Sequence, residues 1–358
     1  MLPYRPEIDG LRAAAILPVV AYHAGAPLPG GFVGVDVFFV LSGWLIGGLL
    51  WAEWGATGRL RLGAFWMRRL RRLAPAYLLM AGATAAAAWW LLLPWELRET
   101  GKQLIAATAW LSNVLFWRQA GYFDAAAQDK PLLQTWSLAV EEQFYLVLPV
   151  LLLGLWGIRL RKAGILAVLG LVWAASLLAT LRLTDSRPEA AFFLFPFRAW
   201  ELLTGVLLAI LAPALPRRMR LTAGWAGIGL ILGAVLTVRA EGFPGWQVLL
   251  PVTGTALCLL SLGPAGAPDG VGRWLATPVP VLIGKLSYAL YLWHWPILVL
   301  AAYRRGGRSR PGRQPAGSCW PSRWRCCPGG WSRRRCAGRR VWWGTAASSA
   351  WWRSAWGR

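Results

Sequence analysis

The sequence predicts an all-α protein, a polytopic transmembrane helical bundle of about nine spans plus one short re-entrant or interfacial helix. Three observations predict it. Of the 358 residues, 57% are hydrophobic and only 15% charged, where an average soluble domain is roughly 25% charged. Mean hydropathy is +0.45. The apolar residues fall in long blocks, several of which reach the ~20 residues that cross ~30 Å of hydrocarbon.

In chain order the blocks are 8–27, 32–53, 73–94, 136–158, 164–182, 193–214, 221–239, 246–262 and 281–303, with a weaker one at 103–117. The first reads as an uncleaved span, because Glu7 and Asp9 precede its apolar stretch and no clear cleavage site follows. Basic loops lie at 59–72 ("RLRLGAFWMRRLRR"), 159–162 ("RLRK") and 217–220 ("RRMR"). If 103–117 crossed fully, the second of these would lie on the other side from the first. A re-entrant or interfacial 103–117 puts all three on one side, as the preference of Lys and Arg for cytoplasmic loops demands. The N-terminus is then expected in the cytoplasm and Tyr303 outside. Pro-Gly, Gly-Phe-Pro-Gly and Asp-Ser-Arg-Pro clusters mark turns, and "GPAGAPDG" (263–270) is the longest Gly/Pro loop of the body.

Residues 1–303 are expected to form the membrane domain, and residues 304–358 read differently. The second segment holds fourteen arginines, eight tryptophans, no acidic residue and one branched aliphatic residue, Val341. It has neither a 3.6 nor a 2.0 period. Tryptophan's single codon arises when a Leu codon is read one base out of frame in a GC-rich gene. The segment is therefore expected to be unstructured and out of frame. A genuine basic, disordered tail is the rival.

The net charge of +23 does not imply nucleic acid, because fourteen of those charges sit in this segment. The remaining +9 is spread over short loops at membrane edges, so no nucleic-acid partner is expected and the lipid bilayer is. Four of the five cysteines also lie in the tail, and the chain has two histidines, His23 and His294. Neither a disulfide framework nor a metal site is expected.

Ionisable groups inside hydrocarbon are expensive, so each is a candidate site. Sorted by depth, Arg5, Arg12, Arg68, Arg69, Arg71 and Arg72 fall near the cytoplasmic side. His23, Asp36, Glu141, Glu142, Arg198, Glu201 and His294 fall toward the outer side. Arg12 and His23 are eleven residues apart, close to three turns and about 16 Å on one helix face.

Six stretches carry a resemblance, in order: "EIDGLRAAAILPVVAYHAG", "GVDVFFVLSGWLIGGLL", "FWMRRLRRLAPAY", "LLQTWSLAVEEQFYLVLPVL", "FPFRAWELLTGVLLA" and "LIGKLSYALYLWHWPIL". They resemble the blocks of acyltransferase family 3, the O-antigen acetylase-like membrane enzymes, over most of residues 4–303. The resemblance implies transfer of an acyl group, usually acetyl from acetyl-CoA, to a hydroxyl of a surface carbohydrate by a multi-pass protein of the cell (inner) membrane. The family adds at least one helix after the His-Trp-Pro block. Residues 304–358 do not read as one, so the chain is expected to be C-terminally truncated or frameshifted.

Arginines bind phosphate by charge-assisted hydrogen bonds. Arg69 and Arg72 are therefore expected at the acyl-CoA phosphates, with Arg68 and Arg71 as helpers; a plain positive anchor is the alternative. By resemblance Arg12 helps hold the donor. A sugar hydroxyl needs a base near neutral pH, and His23 suits that task. A base needs an orienting carboxylate: Asp36, Glu141, Glu142 and Glu201 are candidates, with Glu142 favoured. Arg198 and Glu201 either contact substrate with Asp36 or pair with each other. Ser42 is either an acyl-accepting nucleophile or, with Gly43, Gly47 and Gly48, a close-packing residue. His294 is either near the acceptor, as family position implies, or part of an aromatic belt. Trp136 and Tyr145 could stack on sugar rings. A transporter using intramembrane Arg, His and Glu as a proton or substrate path is the alternative function.

Overall fold

The structure, a computed structural model, describes residues 4–120, 129–263 and 268–305. Among them there are helices and no strand. The elements are α1 (Pro6–His23), α2 (Gly34–Thr57), α3 (Leu62–Leu91), α4 (Pro94–Thr108), α5 (Ser112–Arg118), α6 (Thr135–Gly157) and α7 (Lys162–Leu183). They continue with α8 (Pro188–Phe193), α9 (Phe195–Leu211), α10 (Arg217–Thr237), α11 (Leu249–Leu260), α12 (Gly270–Leu275) and α13 (Pro278–Arg304). Seven apolar stretches are long enough to cross a membrane: those built on α2, α3, α6, α7, α9, α10 and α13. The other two expected blocks are α1, with Glu7, Asp9 and Arg12 in its first turns, and the 12-residue α11. Residues 306–358, the bulk of the segment expected to be out of frame, lie outside the described residues.

Two boundaries differ from expectation. The stretch 59–72 is mostly helix, because α3 begins at Leu62. Arginine is a good helix former and keeps its head in water while its stem covers apolar surface. The weak block 103–117 is split between α4 and α5, with Trp110 at positive φ in the turn between them.

That turn makes α4–α5 a re-entrant hairpin. Gln119, just past α5, donates to Glu99 in the first turns of α4 at 3.4 Å, so the chain returns to the end it came from. Irregular backbone at membrane depth must find partners inside the protein. Gln143 of α6 supplies them, donating to the Trp110 carbonyl at 2.8 Å and pairing with Asn113, which also donates to the Phe193 carbonyl. Because the hairpin does not cross, 59–72, 159–162 and 217–220 all lie at one end of the bundle, here the basic end. Tyr303, at the other end, donates to Glu96 at 2.6 Å.

Close helix contacts set the frame. A Cβ on Gly43 would stand 1.8 Å from the Leu202 carbonyl oxygen, and one on Gly284 would stand 1.8 Å from the Asp9 oxygen. These glycines let α2 lie against α9 and α13 against α1, as small residues do in membranes. Proline then frees a carbonyl on each of two site helices by removing the N–H that would bond residue i−4. Pro149 frees the Tyr145 carbonyl, which accepts from Trp66 Nε1 at 3.1 Å. Pro296 frees the Leu292 carbonyl, which accepts from Gln134 at 3.1 Å. Both freed acceptors are satisfied, and both lie beside the groups described next.

Candidate functional site

Three polar clusters interrupt the apolar bundle. The first is a cavity of about 250 Å³ toward the basic end. Arg12, Arg69, Arg72 and Lys285 line it together with Glu141 and Glu142. Four cations thus face at most two negative charges. Two of the cations, Arg72 and Lys285, are exposed. The Arg69 guanidinium lies 4.1 Å from the centroid of the Tyr145 ring, a cation–π contact that holds it in place. Arg68 is elsewhere: it is 56% exposed and pairs with Glu53 at 3.5 Å. Positions 68, 69, 71 and 72 of one helix cannot all share a face, which is why the expected group of arginines divides.

Glu141 is held by two hydroxyls. Ser42 Oγ donates to Oε1 at 3.2 Å and Tyr145 donates to Oε2 at 2.9 Å. Neither expected role of Ser42 describes it fully. Gly43 and Gly47 make the close contacts to α9, while Ser42, turned toward α6, touches the carboxylate. Ser42, Glu141 and Arg12 also line a narrower cavity of about 60 Å³ that continues past Ser137 to Tyr291. There the Tyr291 hydroxyl meets Ser137 at 2.6 Å and donates to the Gln134 carbonyl at 3.0 Å.

The second cluster is the pair His23 and His294. His23 Nδ1 is 3.1 Å from His294 Nε2, and the Tyr291 ring lies 5.5 Å from His294. His23 is partly exposed, and His294 is buried. The expected carboxylate partner of His23 is not what the fold provides. Glu141 and Glu142 line the basic-end cavity, and neither histidine lines it or the narrower one. The partner is the second histidine, from the helix that packs along α1.

The third cluster is Asp36, Arg198 and Glu201, each no more than 1% exposed. Arg198 ion-pairs with Asp36 and, through Nε, with Glu201 at 3.1 Å. Phe39, Trp136, Phe192 and Phe243 surround its guanidinium, with ring centroids 5.5 to 5.9 Å away. None of the three charged residues lines either cavity. Of the two readings of Arg198 and Glu201, the pairing is what the structure shows, as a buried ion cluster with Asp36 that ties α2 to α9. Trp136, expected as a sugar platform, is 7% exposed and forms a wall of that cluster. Among the described residues no group of three or more His, Cys, Asp or Glu could hold a metal ion.

Lys285, Tyr291 and Tyr288, the last of which lines both cavities, carry no expectation from the sequence. A lysine inside an apolar span was the available signal for the first. The two tyrosines gave none, because an amphipathic ring in an aromatic-rich span is unremarkable until its neighbours are known.

The family described as an acyltransferase domain matches residues 5–324. The chain belongs to acyltransferase family 3. This family member is 34% identical over 318 residues to the Peptidoglycan O-acetyltransferase OatA of Listeria monocytogenes, a match covering 83% of this chain and 50% of that one. It is 31% identical over 312 residues to the O-acetyltransferase OatA of Staphylococcus aureus, covering 83% and 51%. It is 34% identical over 304 residues to the "Putative membrane-bound transacylase BcsY" of Komagataeibacter xylinus, covering 84% and 74%. The chain thus spans about half the length of the first two relatives and about three quarters of the third. No solved structure matches this acyltransferase-family chain.

Proposed function

We propose that the chain is a membrane O-acyltransferase. It takes an acyl group, acetyl in the first instance, from acyl-CoA entering at the basic end and delivers it to a glycan hydroxyl at the opposite end. The proposal places the basic end and the N-terminus in the cytoplasm, with the protein in the cell (inner) membrane. Peptidoglycan or another surface polysaccharide is the acceptor class, by extension from the names of the relatives.

One observation carries this reading. The parallel helices α1 and α13 each hold a cation toward the basic end and a histidine toward the other. Arg12 precedes His23 by eleven residues and Lys285 precedes His294 by nine, about 16 Å and 14 Å along the helices. A phosphate-bearing carrier needs cations, and Arg69, Arg72, Arg12 and Lys285 offer them in the wider cavity. The pantetheine arm follows the narrower cavity past Ser42 and Glu141 toward Tyr291. At the far end His23 takes the proton of the acceptor hydroxyl. The hydroxyl oxygen attacks the thioester carbon, the C–S bond breaks, and the proton passes to the departing thiolate.

The test uses the full chain in proteoliposomes, with acetyl-labelled acetyl-CoA on the basic side and a soluble peptidoglycan fragment on the other. Label on the fragment, lost in His23→Ala, is the expected result. Intact label crossing without transfer would establish a transporter instead, and label reaching neither product nor far side would overturn both readings.

A further inference from the structure

His23 and His294 are the two histidines of the chain, and their rings lie with planes 21° apart and centroids 5.2 Å apart. A neutral imidazole has one N–H and one lone pair. His294 Nδ1 lies 2.8 Å from the Tyr291 carbonyl oxygen and 3.1 Å from that of Leu290. Carbonyl oxygens only accept, so Nδ1 is the protonated nitrogen of His294. Its Nε2 therefore carries the lone pair, and Nε2 is the atom facing His23 Nδ1 at 3.1 Å. That contact is a hydrogen bond only if His23 Nδ1–H donates it.

We propose that His294 is a positioning residue that holds His23 in the Nδ1–H form and leaves the lone pair on His23 Nε2 for the acceptor hydroxyl. This rests on the reading of His23 as the base. The chain of bonds ends on the α13 backbone, so the tautomer is set by a helix and not by a mobile side chain. Two further contacts fix the rings. Trp295 stands edge-on to His23 at 4.8 Å, and its own Nε1 donates to the Lys130 carbonyl at 2.8 Å. When His23 Nε2 accepts the hydroxyl proton, the imidazolium keeps its Nδ1–H on His294 and later releases the Nε2 proton to the thiolate. A neutral imidazole in the place usually held by a carboxylate avoids a buried negative charge beside the acceptor.

The experiment has two independent arms. In the first, full-length protein with ¹⁵N-labelled histidine rings is examined by NMR in lipid nanodiscs, and His294→Gln assigns the two spin systems. Both histidines are expected protonated at Nδ1 and bare at Nε2. Protonation of wild-type His23 at Nε2 overturns the proposal. The second arm compares His294→Gln, whose Oε1 replaces the accepting Nε2, with His294→Leu, which accepts nothing. Gln is expected to keep kcat within about threefold, and Leu to lower it by about tenfold or more with KM for acetyl-CoA held within about twofold. Equal kcat in the two variants overturns the positioning role. If the wild type transfers nothing, the base reading fails while the ring spectra still decide the tautomer.

Discussion

Arg68 and Arg69 are adjacent in sequence and are expected to respond very differently to the same substitution. Arg69 lines the wider cavity and stacks on Tyr145; Arg68 is exposed beside Glu53. Replacing Arg69 by glutamine removes a guanidinium from a set of four cations. A hydrogen bond to a charged group contributes about 1.5–3 kcal/mol, so Kd for acyl-CoA should rise about 10- to 150-fold. Arg68→Gln removes an exposed ion pair of about 0–1 kcal/mol, and Kd should change less than about fivefold. Equilibrium binding of a non-hydrolysable thioether analogue of acetyl-CoA to the purified protein, at one fixed ionic strength, measures both. Equal losses in the two variants would mean that a diffuse basic surface attracts the donor. A change below about twofold for Arg69→Gln would mean that the cavity does not hold the phosphates at all. Either outcome refutes the assignment.

Three more outcomes are expected. Arg198→Met strands two buried carboxylates and should cost about 3–5 kcal/mol in thermal unfolding in detergent; adding Asp36→Asn and Glu201→Gln to the same chain should restore most of it. Tyr291→Trp adds bulk where a residue lining the narrower cavity also neighbours His294, so acyl transfer should fall by about tenfold or more while analogue binding is kept. Finally, sequencing the gene across codons 303 and 304 should show a neighbouring frame encoding a Leu-rich helix; frames that encode none would favour a genuine basic tail.

The bundle was legible in the sequence because bilayer spans leave a one-dimensional signal, long apolar runs separated by charged loops. The re-entrant hairpin was legible for a related reason, since three basic loops can share a side only if 103–117 fails to cross. Its turn at Trp110 was not, because the groups that satisfy it, Gln143 and Asn113, are assigned only once α6 lies beside the hairpin. Arg12 and His23 were legible as a pair through helical spacing alone. The division of the basic run between cavity and surface was not, since the run shows four arginines but not which direction α3 presents to α6.

The sequence alone determined that the protein is a helical membrane bundle of this family, and which polar residues stand inside it, because composition, hydropathy and short motifs are properties of single segments. Partnership was decided only by the tertiary structure. His23 meets His294 across 271 positions of chain, and Arg198 meets Asp36 across 162. Ser42 meets Glu141 across 99. Which carboxylate, cation or imidazole faces which depends on helix rotation and close approach. Those are set by glycine contacts and by bonds to proline-freed carbonyls acting between elements, and no local pattern in the chain records them.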